Sequence, residues 1–227
     1  MRAREQQQVD LVVIGAGAIG CGLLAMVPTL AVASLVVVDG DTVSATNLQR
    51  QPLYGPADIG EFKANAARDR IAPLVPETII TAVTEFVRPE NIAYLLQRAT
   101  IVADCTDDLH ASRSIDAWCA DHGTYLVTGS VHGMQCQVTS RFGPDSRDHD
   151  PYFLGRIGAG QDGCDMRAVP AMVTQLAAVH MAWRIRQFTC GVAGPDHMDL
   201  LDIATGTWLR IAPPMAEQAQ GRTVASV

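Results

Sequence analysis

Short apolar runs alternate with turns and amphipathic stretches along the first 130 or so residues of the chain. Five runs rich in β-branched residues predict buried strands of a parallel sheet: VDLVVIG, SLVVVD, TIITAV, ATIVAD and TYLVTGS. Helices are predicted between them at AIGCGLLAMVPTL, Glu61–Leu74, Pro89–Arg98 and Asp108–His122. This alternation predicts a doubly wound α/β fold, in which ligands lie at the carboxyl ends of the strands.

The remainder of the chain follows a different pattern. MQCQVTSRF predicts a strand that continues the sheet, and the non-periodic segment 143–165 predicts a loop. A long apolar helix is predicted at Ala168–Phe188, and MDLLDIATGTWLRI predicts an antiparallel pair of strands. We therefore expect a Rossmann-like, mainly parallel sheet with an added antiparallel C-terminal strand pair. Residues 1–212 would form one domain, and residues 213–227 a flexible tail.

Charge and cysteine content narrow the class of protein. The 227 residues carry a formal net charge of −7 without any basic run, which argues against nucleic acid or an anionic membrane as partner. The uncharged stretch from Leu11 to Val38 is long enough to span a bilayer, but its glycines and Pro28 break it into shorter elements. The six cysteines are never two or three residues apart, so we expect no structural zinc, no disulfide framework and a cytoplasmic location.

A glycine-rich turn, GAGAIG, joins the first predicted strand to the first predicted helix. Its residues Gly15, Gly17, Ala18 and Gly20 would bring backbone N–H groups and the positive end of a helix dipole to one place, which suits phosphate. Asp39 ends the next strand, 24 residues beyond Gly15, where a carboxylate usually binds ribose hydroxyls. These features alone predict a nucleotide site, with NAD as the default ligand.

The stretch DGDTVSATNLQRQ, directly after the second strand, favours a nucleotide triphosphate instead. Asp41, Asn47, Arg50 and, thirteen residues further on, Lys63 follow the ribose acid. Two bridging phosphates would not need these additional groups, whereas three phosphates and a leaving pyrophosphate would. Lys63 is the only lysine beside sixteen arginines, and its ammonium is a compact charge suited to phosphate. The alternative interpretation of Lys63 is a solvated helix residue.

Three carboxylates lie in VADCTDD, at the end of a predicted strand and hence at the ligand edge of the sheet. Asp104, Asp107 and Asp108 all offer oxygen ligands of the kind that Mg²⁺ prefers. Asp108 precedes a predicted helix and is a good N-cap residue. We therefore take Asp107 as the candidate magnesium ligand.

Together, GAGAIG, DGDTVSATNLQRQ, Lys63 and DCTDD resemble the adenylating domain of the ThiF, MoeB and ubiquitin-activating enzyme family. The resemblance implies binding of Mg-ATP and attack on the α-phosphorus by the C-terminal glycine carboxylate of a small ubiquitin-like or sulfur-carrier protein. Pyrophosphate would leave and an acyl-adenylate would remain. It also implies that Asp39 holds the ribose, that Asn47, Arg50 and Lys63 contact phosphates, and that Asp107 binds magnesium. A homodimer, or pairing with a homologue, is implied as well.

The chain departs from the family pattern at several points. Ala18 stands where the family usually has glycine, the paired zinc cysteines are absent, and only Arg2 and Arg4 are available as N-terminal arginines. Cys164 falls near a loop cysteine of the family and is a candidate nucleophile toward the acyl-adenylate. Alternative functions are adenylation of a small-molecule or peptide carboxylate, a non-catalytic partner subunit, and an NAD-dependent oxidoreductase.

Overall fold

The structure, a computed structural model, describes residues 6–141, 169–192 and 197–211. Within these residues eight strands form one sheet, in the order β3-β2-β1-β4-β5-β6-β7-β8. The strands are β1 (Val9–Ile14), β2 (Val32–Val38), β3 (Ile79–Val83), β4 (Ile101–Asp104), β5 (Tyr125–His132), β6 (Gln135–Arg141), β7 (His197–Asp202) and β8 (Thr207–Ile211). The first five run parallel, and β5 to β8 pair antiparallel. The predicted fold is confirmed, and its antiparallel part includes β6 as well as the predicted pair.

Helices cover both faces of the sheet. They are α1 (Ala18–Met26), α2 (Lys63–Ile71), α3 (Ile92–Leu96), α4 (Leu109–His122) and α5 (Ala171–Thr189). Helices α1, α2 and α5 enclose the larger hydrophobic core on one face, and α3 and α4 enclose a second core on the other. In the part of the chain described here, no helix is both long and apolar enough to cross a membrane.

Two predicted helices begin later than their sequence pattern indicates. The helix expected from Glu61 begins at Lys63, because Phe62 forms a β-bridge with Thr42 and the Lys63 N–H donates to the Asp41 carbonyl oxygen. The helix expected from Pro89 begins at Ile92. Long-range pairing therefore decides the first boundary. At the second boundary, the side chain of Asn91, directly before the helix, accepts a hydrogen bond from the Arg88 N–H at 2.8 Å.

The register of the parallel strands brings three strand ends together. Ile14, the last residue of β1, lies beside Val38 of β2 and beside Asp104 of β4. The glycine turn, the residues after β2 and the residues after β4 therefore emerge side by side at one edge of the sheet. The candidate site residues lie at this edge and in the segment leading to α2.

Candidate nucleotide site

The glycines of the turn after β1 have different structural roles. Gly15 adopts a φ of +85°, and a Cβ there would lie 2.8 Å from the Cys105 carbonyl oxygen. A Cβ on Gly20 would lie 1.9 Å from the Gly15 carbonyl oxygen. At Gly17, by contrast, the one atom of the described residues that a Cβ would approach is the Gln51 Nε2, at 4.0 Å. Packing therefore requires glycine at the first and last positions, whereas Gly17 leaves a space beside the start of α1.

The start of α1 has the character of an anion site. Gly17 is its N-cap, no side chain in the described part of the chain caps the helix, and no acidic residue lies in its first turn. The first N–H groups and the positive end of the helix dipole therefore face this space without a neighbouring carboxylate from the helix itself. Ala18, the first residue of the helix, is buried, so its methyl group packs within the protein.

Asp39 is held in place by two backbone groups. Its Oδ2 accepts a hydrogen bond from the Ala16 N–H at 2.7 Å, and its Oδ1 accepts one from the Asp41 N–H at 2.8 Å. Burial raises the pKa of this carboxyl above its ordinary value. Each oxygen still has a lone pair, so a fixed carboxylate at this position can accept from a pair of hydroxyl groups.

Lys63 is buried although it carries a charge. Its side chain is 8% exposed, and its Nζ lies 2.8 Å from the Oδ2 of Asp41, whose side chain is 57% exposed. Lys63 is also the first residue of α2, where the helix dipole disfavours a cation. A buried ammonium needs an ionic or hydrogen-bonding partner, and among the described residues Asp41 supplies it.

A single tyrosine links the glycine turn to α2. The Tyr54 hydroxyl lies 2.8 Å from the Ala16 carbonyl oxygen and 3.2 Å from the Lys63 carbonyl oxygen, and both carbonyls are acceptors for its proton. Burial raises the pKa of Tyr54, so the hydroxyl remains a donor. Sequence reasoning missed this residue, because no local pattern marks a tyrosine that bonds across such a distance.

Asn47 and Arg50 make hydrogen bonds within their own segment. The Asn47 Oδ1 accepts from the Ser44 N–H at 3.2 Å, and the Arg50 Nη1 donates to the Thr46 carbonyl oxygen at 3.2 Å. Arg50 is half-buried, and residues 45–47 form a short 3₁₀ turn. These contacts stabilise the segment between Asp41 and Lys63.

Three carboxylates lie at the end of β4, and their surroundings differ. Asp104 is buried, accepts from the Ser112 Oγ at 2.7 Å and from the Thr106 N–H at 3.1 Å, and burial raises its pKa to about 6. Asp108 caps α4 by accepting from the His110 and Ala111 N–H groups, which confirms its predicted capping role.

Asp107 is exposed between these two carboxylates. Among the described residues no three His, Cys, Asp or Glu side chains converge as a metal site. Magnesium commonly takes one or two carboxylates and completes its coordination with water and substrate phosphates. A single exposed carboxylate at the ligand edge fits that mode of binding.

An aromatic side chain that the sequence reasoning missed lies beside Asp39. A Cβ on Gly40 would approach the ring of Phe86 to 2.7 Å, so this ring packs directly on the Gly40 backbone. Phe86 is 52% exposed, and the Asn91 side chain donates to its carbonyl oxygen at 3.0 Å. An open aromatic ring therefore borders the position proposed for the ribose.

The cysteines bear on the question of a nucleophile. Burial raises the pKa of Cys21, Cys105, Cys119 and Cys136, so these thiols are poor nucleophiles. The predicted nucleophile Cys164 lies outside the described residues, as do loop 143–165, the tail and the two N-terminal arginines.

The sheet order, the glycine turn and the acid after β2 define a Rossmann-like protein with a candidate anion site at the carboxyl ends of its parallel strands. The chain belongs to the ThiF family, whose model matches residues 4–220. It is 33% identical over 129 residues to the molybdopterin-synthase adenylyltransferase of Escherichia coli strain K12, covering 57% of this chain and 52% of the relative. It is 32% identical over 136 residues to the sulfur carrier protein ThiS adenylyltransferase of the same strain, covering 59% and 54%.

A third relative is the SAMP-activating enzyme E1 of Haloferax volcanii, 30% identical over 130 residues, with 57% of this chain and 48% of the relative covered. The chain thus spans about half the length of these curated relatives. Among solved structures, E. coli MccB with MccA-N7isoASN matches with a TM-score of 0.76 at 14% identity, covering 90% of this chain and 64% of that one. PaaA matches with a TM-score of 0.74 at 18% identity, covering 92% and 64%. These structural similarities support the fold.

Proposed function

We propose that this protein uses Mg-ATP to adenylate a carboxylate, most directly the C-terminal carboxylate of a small ubiquitin-like or sulfur-carrier protein. One observation carries the proposal: the space at Gly17 opens onto the uncapped start of α1, and Tyr54 links that turn to the backbone carbonyl of Lys63, whose buried ammonium acts electrostatically on Asp39. An anion there would meet N–H groups and a helix dipole, with an ammonium in the neighbouring segment. The similar adenylyltransferases support ATP as that anion.

In the proposed complex the base and ribose lie over the end of β2. Asp39 accepts from the ribose hydroxyls, and its two backbone hydrogen bonds keep it oriented. Gly15, Gly17, Ala18 and Gly20 form the turn against which the phosphates lie. Asn47 and Arg50 approach the phosphates from the neighbouring segment.

In the proposed reaction a carboxylate oxygen attacks the α-phosphorus and the bond from this phosphorus to the pyrophosphate oxygen breaks. Lys63, held by Asp41, neutralises the charge that develops on the phosphates. Asp107 would hold magnesium, which would offset the charge of the departing pyrophosphate. The products are an acyl-adenylate and pyrophosphate, and the acyl group is then available for transfer.

A calorimetric titration with Mg-ATP and, separately, with NADH tests the nucleotide. We expect binding of Mg-ATP and none of NADH. The reverse result would contradict the proposal and favour an oxidoreductase, and binding of neither would favour a non-catalytic subunit.

Pyrophosphate exchange into ATP tests the chemistry, with the sulfur carrier ThiS as the carboxylate probe. We expect Lys63→Met and Asp107→Asn each to lower the exchange rate about a hundredfold or more, because each removes a charge that stabilises the transition state. Arg68→Met and Asp69→Asn, at an exposed ion pair on α2, are matched controls and should exchange at the wild-type rate. Wild-type exchange in Lys63→Met would contradict the role of the lysine.

Exchange with a short peptide or small acid, but not with ThiS, would assign the chain to a different class of carboxylate substrate. We also propose that the protein acts as a dimer, which sedimentation of the purified chain tests directly. A monomeric chain that supports full exchange would contradict this part of the proposal.

A further inference from the structure

Gln51 is a buried amide whose oxygen has no hydrogen-bond partner among the residues that the structure describes. The residue is 4% exposed, and its Oε1 is shielded from solvent. A buried acceptor without a donor costs about 1–3 kcal/mol, and an apolar side chain of similar size would avoid that cost. The amide therefore lowers the stability of the folded protein when no ligand is bound.

The backbone around Gln51 is firmly placed. Its N–H donates to the Asn47 carbonyl oxygen at 2.9 Å, and its own carbonyl oxygen accepts from the Tyr54 N–H at 3.1 Å. Tyr54 in turn bonds to the glycine turn through its hydroxyl. The position of the Gln51 side chain is thus set by a turn that is tied to the start of α1.

The amide is directed toward the space at Gly17. Its Nε2 is the atom that a Cβ on Gly17 would meet, at 4.0 Å, while the buried Oε1 is the other end of the same group. The N–H₂ end of the amide is thus a donor beside Gly17, the N-cap of α1. A side-chain donor next to the N–H groups at the start of a helix suits a bound anion.

We propose that Gln51 is a phosphate-binding residue whose Nε2 donates to the phosphate oxygen lodged against Gly17. The inference rests on the proposed function and adds a residue to it. The ATP phosphates would give the Nε2 group an acceptor, whereas Oε1 would stay without a donor in the complex. The contact is lost in any substitution that removes the N–H₂ group, even where the volume of the side chain is preserved.

Calorimetric titration with Mg-ATP and thermal unfolding without nucleotide test this role together. We expect Gln51→Met to weaken Mg-ATP binding about ten- to a hundredfold, because a hydrogen bond to a charged group is lost. The same variant should unfold about 2–8 °C higher than wild type without nucleotide, because the unsatisfied amide is gone. Gln51→Glu should bind Mg-ATP more weakly still, since it places a carboxylate beside phosphate.

Gln97→Met is the control, because Gln97 lies in an exposed position where its Nε2 bonds to the Tyr94 carbonyl oxygen. It should bind Mg-ATP as wild type does. If wild type binds Mg-ATP and Gln51→Met binds it equally well, this inference is wrong and the proposed function stands. If wild type does not bind Mg-ATP, both are wrong. A purely structural Gln51 would give the opposite pattern, with Gln51→Met less stable and its affinity unchanged.

Discussion

At the scale of single residues, the carboxylates at the end of β4 differ in their burial. Asp104 and Asp107 are three positions apart, yet the first is enclosed and hydrogen-bonded to Ser112 while the second is exposed. Burial raises the pKa of Asp104 from 3.8 to about 6, so this carboxyl stays protonated in mild acid. The folded protein therefore binds this proton more tightly than the unfolded chain does.

We predict that Asp104 makes the stability of the protein fall as the pH rises. Its contribution is present in full below pH 3.8 and is lost as the pH rises through about 6. Asp104→Asn keeps the hydrogen-bonding shape without the ionisation, so its unfolding free energy should gain about 2 kcal/mol over wild type between pH 4 and pH 7. Denaturant unfolding at a series of pH values, without magnesium, measures this difference.

The same series on Asp69→Asn serves as the control, because Asp69 is exposed on α2. Its stability difference from wild type should change little with pH. An Asp104→Asn curve parallel to that of wild type would show that folding does not raise the pKa of Asp104.

At the scale of elements, α1 connects the site to the core. Its beginning at Ala18 faces the space for an anion, and its next turns pack against α5. Gly22 lies at that contact, where a Cβ would meet the Gln175 Oε1 at 2.5 Å and the Ala178 Cβ at 2.7 Å. Gly22 is therefore required for packing, whereas Gly17 borders the space in which we propose that the anion binds.

Alanine at these two glycines should separate binding from stability. Gly22→Ala should lower the unfolding free energy by about 1–3 kcal/mol through overpacking. Gly17→Ala has no clash in the folded protein but fills the space beside α1, so it should keep near wild-type stability and lose Mg-ATP binding. Denaturant unfolding and calorimetry on both variants check this pair. Unimpaired Mg-ATP binding by Gly17→Ala would show that the phosphates lie elsewhere.

At the scale of the whole molecule, one buried carboxylate joins the last strands to the long helix. Asp199 of β7 is fully enclosed and bonds to His180 and Arg184 of α5 and to Trp208 and Arg210 of β8. Burial opposes ionisation of Asp199, but hydrogen bonds from Arg210, Arg184, His180 and Trp208 outweigh it and lower the pKa. The Asp199 carboxylate is therefore an ionic centre that connects α5 to the antiparallel strands of the sheet.

We expect Asp199→Asn to destabilise the protein by about 3–5 kcal/mol, because Arg184 would remain buried beside a neutral amide. Asp202→Asn, three residues along the same strand, removes a carboxylate at the end of β7 that accepts from Gln135 and Thr205. It should cost much less stability than Asp199→Asn, because water can replace its hydrogen bonds. Denaturant unfolding of the two variants gives the comparison, and equal losses would argue against an ionic centre at Asp199.

The sequence by itself determined the elements and most of the chemistry proposed for this protein. The β-branched runs, the glycine turn and the order of Asp39, Lys63 and Asp107 are local patterns, and local patterns follow from backbone periodicity and steric preference. They were sufficient for the fold class and the ThiF family, both of which are confirmed. They also sufficed for Asp108 as a helix cap, since a cap depends on its own neighbours.

Only the tertiary structure decided which groups meet. It paired Lys63 with Asp41, placed Gln51 beside Gly17, and joined Tyr54 to two distant carbonyls. It also moved the start of α2 to Lys63, because Phe62, directly before the helix, forms a β-bridge with Thr42 in the segment after β2. These outcomes depend on burial and on contacts between segments that are distant along the chain. The spacing of residues in the sequence determines neither of them.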